Sequence, residues 1–132
     1  MMLIDREEEE IMNRIKISKN FHLNEFECRH CSTVMLKKDL LEKLQTLRDK
    51  LEVPLVIMSA YRCPIHNKAV EGADRSQHLL GTAADISLHT IDLSAEHIAE
   101  TAEKIGFTGI GFYNTFLHLD VRPWKARWDY RG

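Results

Sequence analysis

No apolar run in this chain of 132 residues approaches the roughly 20 that a membrane-spanning helix needs, so insertion into a bilayer is not expected. A basic excess is lacking too. Eighteen Lys and Arg stand against twenty Asp and Glu, a formal charge of −2, whereas binding to phosphate backbones draws on a surplus of positive charge. Nucleic acid is therefore not an expected partner. Met1 to Glu10 carries an acidic run, Glu7 to Glu10, where a secretion signal would have an apolar stretch behind positive charge. The expectation is synthesis in the cytoplasm without a signal peptide. Three cysteines, Cys28, Cys31 and Cys63, cannot all pair within the chain; they suggest no disulfide framework and fit a reducing compartment. Internal repeats and low-complexity tracts are absent.

What is present is the balance of a globular protein, 44% hydrophobic and 29% charged, in a length that suits one domain. Residues 1–19, with the Glu run and Ile11, Met12, Ile15 and Ile17, read as an acidic N-terminal helix and linker, and residues 20–132 as the domain. The Glu run is more simply a solvated first helical turn than a functional tail. Leu40, Leu41, Leu44, Leu47 and Leu51 follow one helix face, which Pro54 ends. Leu55 to Met58 predicts a short buried strand. Tyr61 to Asp74, punctuated by Pro64, Asn67 and Gly72, predicts irregular chain with a turn or two of helix after Pro64. Ala83 to Leu88 predicts a strand, and Ser94 caps a helix with Ala95, Ile98, Ala102 and Ile105 inward and Gly106 as its stop. Thr108 to Tyr113 and Thr115 to Val121 predict a hairpin turning at Asn114, its first strand weakened by Gly109 and Gly111. Helices and strands interleave without regular βαβ alternation, so a small α+β domain with a mainly antiparallel sheet is expected.

Among seven histidines, His22, His30, His66, His89 and His97 have no partner in a strongly diagnostic spacing and read as surface or satisfied side chains. His78 differs. Ser76-Gln-His78-Leu-Leu-Gly81-Thr-Ala-Ala-Asp85 combines a ligand-type histidine, a turn glycine and a carboxylate on an incoming strand, which a turn could fold toward one point. Phe116-Leu-His118-Leu-Asp120 puts His118 and Asp120 on one strand face. Two histidines and a carboxylate would make a catalytic rather than structural zinc set, leaving a fourth position for water. The alternative is that Asp85 caps a loop and the histidines pack separately. Cys28-x-x-Cys31, with His22 and His30 nearby, makes a second, structural zinc conceivable only with mixed ligands, and ordinary thiols are the simpler reading. Trp124, Trp128 and Tyr130 either floor a groove or dock the terminal tail.

The order Ser59-Ala-Tyr61-Arg62, Ser76-x-His78-x-x-Gly81-x-Ala83-x-Asp85, then His118-x-Asp120 resembles the zinc D-Ala-D-Ala carboxypeptidase family, which includes phage endolysins. The likeness runs from about Asn20, where Phe21-His-Leu-Asn-Glu-Phe resembles the family's opening segment, to Trp124. It implies zinc ligation by His78, Asp85 and His118, a substrate-facing Arg62, and pocket-lining positions for Ser76 and Tyr61. It departs at the general base, where relatives place an acid or a second histidine and this chain has Thr115 and Phe116. Asp120 is the nearest candidate for that role, or else a partner that orients a ligand. The resemblance implies a monomeric zinc peptidase acting on peptidoglycan stem peptides, as a D-Ala-D-Ala carboxypeptidase or an L-Ala-D-Glu-type endopeptidase. A phage or prophage endolysin would explain the missing signal. The rivals are a non-catalytic zinc-containing binding module, as in the related hedgehog domain, and a phage structural component.

Overall fold

The computed structural model describes residues 15–132, so most of the expected N-terminal helix lies outside the described residues. Lys16 pairs with His22 in an isolated bridge and Ile17 packs on the core, so the domain's contacts begin ahead of residue 20. Helix α1, Lys38–Leu51, buries Leu40, Leu44, Leu47 and Leu51 along the face their spacing marks. Each such leucine contributes about 1.5–3 kcal/mol of burial. The helix ends at Glu52, whose left-handed φ of 56° turns the chain two residues before Pro54. Helix α2, Pro64–Ala69, starts on its proline, and α3, Ala95–Ile105, is capped by Ser94 Oγ accepting the His97 N–H at 3.1 Å. No helix among the described residues is long and apolar enough to cross a membrane.

Five strands form one sheet in the order β1-β2-β4-β3-β5. They are β1 Ile57–Ser59, β2 Ala83–Ser87, β3 Gly109–Phe112, β4 Phe116–Asp120 and β5 Ala126–Asp129. The pairings β1–β2, β2–β4 and β3–β4 are antiparallel and β3–β5 is parallel, giving the mainly antiparallel α+β domain expected. The fifth strand was not expected. Its residues alternate between half-buried and exposed, and it pairs only with β3, so no apolar run marks it.

Because side chains alternate along strands, the register divides the sheet into two unlike faces. Ala84, Ile86, Ile110, Leu117 and Leu119 pack with the leucines of α1 and with Ile98 and Ala102 of α3. The opposite face carries a row across all five strands, Ser59, Asp85, His118, Gly111 and Trp128, with Ala83, Asp120, Gly109 and Ala126 beside it.

Candidate metal centre

His78 lies in a single 3-10 turn, Gln77–Leu80, capped by Ser76 Oγ accepting the His78 N–H at 3.2 Å. Gly81 ends the turn at φ 72°, where a Cβ would also strike the Met35 carbonyl at 2.4 Å. This is the turn expected between His78 and Asp85. It brings the ligand atoms of His78, Asp85 and His118 within 4.8 Å of one another, all three residues buried.

The proton positions follow from the outer partners. His78 Nδ1 lies 2.6 Å from the Ala60 carbonyl, which can only accept, so Nδ1 carries the hydrogen and Nε2 presents a lone pair. His118 Nε2 lies 2.7 Å from Asp120 Oδ2, which leaves Nδ1 inward. Both inward nitrogens face Asp85 Oδ1, at 3.2 and 3.0 Å. Two imidazole lone pairs and a carboxylate oxygen at this separation repel one another unless positive charge sits among them. A divalent cation fits that requirement, and so does a proton on His118. Burial by itself lowers the pKa of His118, but Asp120 and Asp85 outweigh it and hold the imidazole above its usual range. Burial likewise works against the Asp85 anion, yet the His118 and His78 imidazoles against it keep its carboxyl well below the ordinary value.

Asp120 is fully buried and its oxygens are engaged. Besides His118, they accept the Arg122 backbone N–H at 3.1 Å and the Arg122 Nε and Nη2 at 2.8 and 2.6 Å. These bonds outweigh burial and hold its carboxyl well below the usual range. Room for the carboxylate comes from Gly109, where a Cβ would lie 2.1 Å from Asp120 Oδ1. Gly111 does the same for Trp128, whose ring would meet that Cβ at 2.2 Å. The two glycines thus stand where this face needs space.

Arg62 is largely buried beside Asp85 and reaches Asp85 Oδ2, Asn67 Oδ1 and Ser59 Oγ, each at 3.3 Å. It lines a cleft of about 660 Å³ together with Ser76, His78, Asp85 and His118. Tyr61 does not line that cleft: its amide bonds the Phe26 carbonyl, and its phenol, raised in pKa chiefly by burial, senses the three cysteines.

Three lining residues were missed in the sequence, Arg75, Tyr113 and Arg122, whereas Trp128 takes the groove position that was one of its two expected roles. Trp128 Nε1 donates to Tyr113 Oη at 2.9 Å, and the indole lies 5.0 Å from the His118 ring. Of the tail aromatics, Trp128 is held by β5 and Tyr130 lines the cleft, while Trp124 stays exposed with the Arg122 guanidinium over its ring.

No curated protein matches the chain. The sequence model of peptidase M15 matches residues 16–120, from the Lys16 bridge through the last residue of β4, and so takes in Arg62, His78, Asp85, His118 and Asp120. With that match spanning most of its length, the chain belongs to the peptidase M15 family of zinc metallopeptidases.

Proposed function

We propose that the protein hydrolyses amide bonds in the stem peptides of bacterial peptidoglycan, with zinc held by His78, Asp85 and His118. The observation that carries this reading is the convergence of two imidazole lone pairs and a buried carboxylate at one end of a cleft. Three nitrogen and oxygen ligands make the set of a catalytic zinc site. When bound, the ion would polarise the scissile carbonyl and lower the pKa of water beside it to about 7, supplying a nucleophile at neutral pH.

The chain's own residues orient and protonate. Arg62, held by Ser59 and Asn67, offers a planar fork to a peptide carboxylate or to the oxygen that gains charge as the carbonyl is attacked. Arg75 and Arg122 line the same cleft, a lining that suits an anionic peptide. Burial raises the Tyr113 pKa, so its hydroxyl keeps a proton that it can donate toward the cleft while accepting from Trp128. Ser76 holds the turn that presents His78. Asp120, with its oxygens taken by His118 and Arg122, serves to orient His118 rather than to accept the proton of water. Action as a monomeric endolysin, released to the cell wall during phage or prophage lysis, belongs to the same proposal.

A non-catalytic binding module is favoured by one observation: neither Thr115 nor Phe116 supplies a base and Asp120 is engaged. Amine release from purified peptidoglycan separates the two readings. Release that needs zinc and disappears in His118→Ala supports hydrolysis, and mass spectrometry of the products identifies the bond cut. Zinc-loaded protein that releases no amine would refute it.

A further inference from the structure

Away from the cleft, the three thiols of Cys28, Cys31 and Cys63 lie within 4.8 Å of one another. Chain segments far apart in sequence meet here. Cys28 to Cys31 forms a tight turn, closed by the Ser32 N–H on the Cys28 carbonyl at 2.9 Å and the Cys28 N–H on the Thr33 carbonyl at 2.8 Å, with Ser32 left-handed at φ 63°. The turn places both thiols on the side that faces Cys63. Cys63 immediately precedes α2.

Backbone amides already point at two of the sulfurs. The Cys63 N–H donates to Cys28 Sγ at 3.4 Å, and the His66 N–H to Cys63 Sγ at 3.4 Å. An amide directed at sulfur favours thiolate over thiol. A fourth donor is near: His30 Nδ1 lies 3.6 Å from Cys63 Sγ, outside the group of three thiols, and a turn of this exposed side chain would bring it toward the other two sulfurs. Two ligands bound tetrahedrally at ordinary Zn–S and Zn–N lengths stand about 3.6 Å apart, and two sulfurs about 3.8 Å apart. The His66 ring lies beside His30, with centroids 6.4 Å apart and planes 12° from parallel.

We propose that Cys28, Cys31, Cys63 and His30 hold a structural zinc ion. Four protein ligands leave no open position, so this is a closed site, unlike the set in the cleft. It ties the Cys28 turn to the loop that carries Arg62, reinforcing the Tyr61 amide on the Phe26 carbonyl at 3.2 Å and the Cys63 amide on Cys28 Sγ. The site would give His30 and the three cysteines a role beyond the surface histidine and ordinary thiols that their spacing suggests. It requires nothing of the hydrolytic reading and stands if the cleft proves inert.

The test is metal content and thiol reactivity of the full chain purified under reducing conditions with zinc present. About two zinc ions per chain are expected, one of them released in step with the titration of three thiols by an organomercurial. His118→Ala should lose the cleft zinc and keep the mercurial-released one, whereas Cys31→Ser should do the reverse. Cobalt substitution adds a readout that does not depend on those variants folding: a thiolate-to-cobalt charge-transfer band with the d–d bands of a four-coordinate site in the wild-type chain, the d–d bands altered in His30→Ala and kept in His66→Ala. Zinc confined to the cleft, three thiols that react at once in the zinc-loaded native protein, or a disulfide among them under these conditions would overturn the proposal. Unchanged d–d bands in His30→Ala would overturn the assignment of the fourth ligand.

Discussion

Gly109→Ala tests the claim that space on the metal face is set by the sheet. The backbone at Gly109 is not left-handed, so alanine there meets no conformational penalty and would ordinarily stabilise by about 0.4–1 kcal/mol through the unfolded state. Its Cβ, however, would lie 2.1 and 2.2 Å from the two Asp120 carboxylate oxygens. The carboxylate has nowhere to go without releasing His118 and Arg122, because Asp120 is fully buried. Breaking a buried ionic network costs about 3–5 kcal/mol, so a net loss of about 2–4 kcal/mol remains after the favourable term. With an unfolding entropy of about 2.1 cal/mol/K per residue, the melting temperature should fall by on the order of 10 °C. Calorimetry of the metal-free protein measures this. The decisive control is the double-mutant cycle: in an Asp120→Ala background the steric cause is gone, and Gly109→Ala should be neutral or mildly stabilising. An alanine that raises stability in the wild-type background, or costs the same in both, would refute the account.

Asp120→Asn should weaken zinc binding by about 10- to 100-fold yet retain much of the turnover at saturating zinc, and a loss beyond about 10²-fold with zinc fully bound would restore the base role. Arg62→Lys should leave zinc content unchanged and lower kcat/KM on peptidoglycan by about 10-fold or more, since a point charge replaces a fork; unchanged kinetics would remove Arg62 from substrate binding. Zinc affinity of the cleft should fall as pH drops from about 8 to about 6, because a proton on His118, held above its ordinary pKa, competes with the metal. Isothermal titration across that range, showing no dependence, would contradict the assigned orientation of His118.

Much of the fold was legible because its signals are local. The leucine spacing of α1, the Ser94 cap of α3 and the strand run containing Asp85 each depend on a few adjacent residues, and all three appear where expected. The convergence of His78 with Asp85 across Gly81 was legible for the same reason. Strand β5 was not, since the alternation of Ala126 and Trp128 with Arg127 and Asp129 spans only four residues, too few to mark a strand before its backbone pairs with β3. Gly109 and Gly111 read as defects because propensity ignores what stands on the neighbouring strand. The cysteine cluster was obscured by distance along the chain: Cys63 and His30 meet only after β1 and the Cys28 turn have packed.

The position of the ligands depends on residues that never touch a substrate. Asp85 and His118 are directly paired across β2 and β4, and each is followed along its strand by a core residue, Ile86 and Leu119. A slip of one residue in β4 would exchange its faces, burying His118 against α1 and α3 and exposing Leu119 in the cleft, and a slip in β2 would do the same to Asp85 and Ile86. Burial of Ile86, Leu117 and Leu119 on the helical side therefore fixes which way His118 points, before any metal contributes. Asp120, on the same face and one residue beyond Leu119, then sets which nitrogen His118 turns inward. The order of causes runs from apolar periodicity to register, from register to the paired ligands, and from a buried carboxylate to the tautomer that can accept a cation.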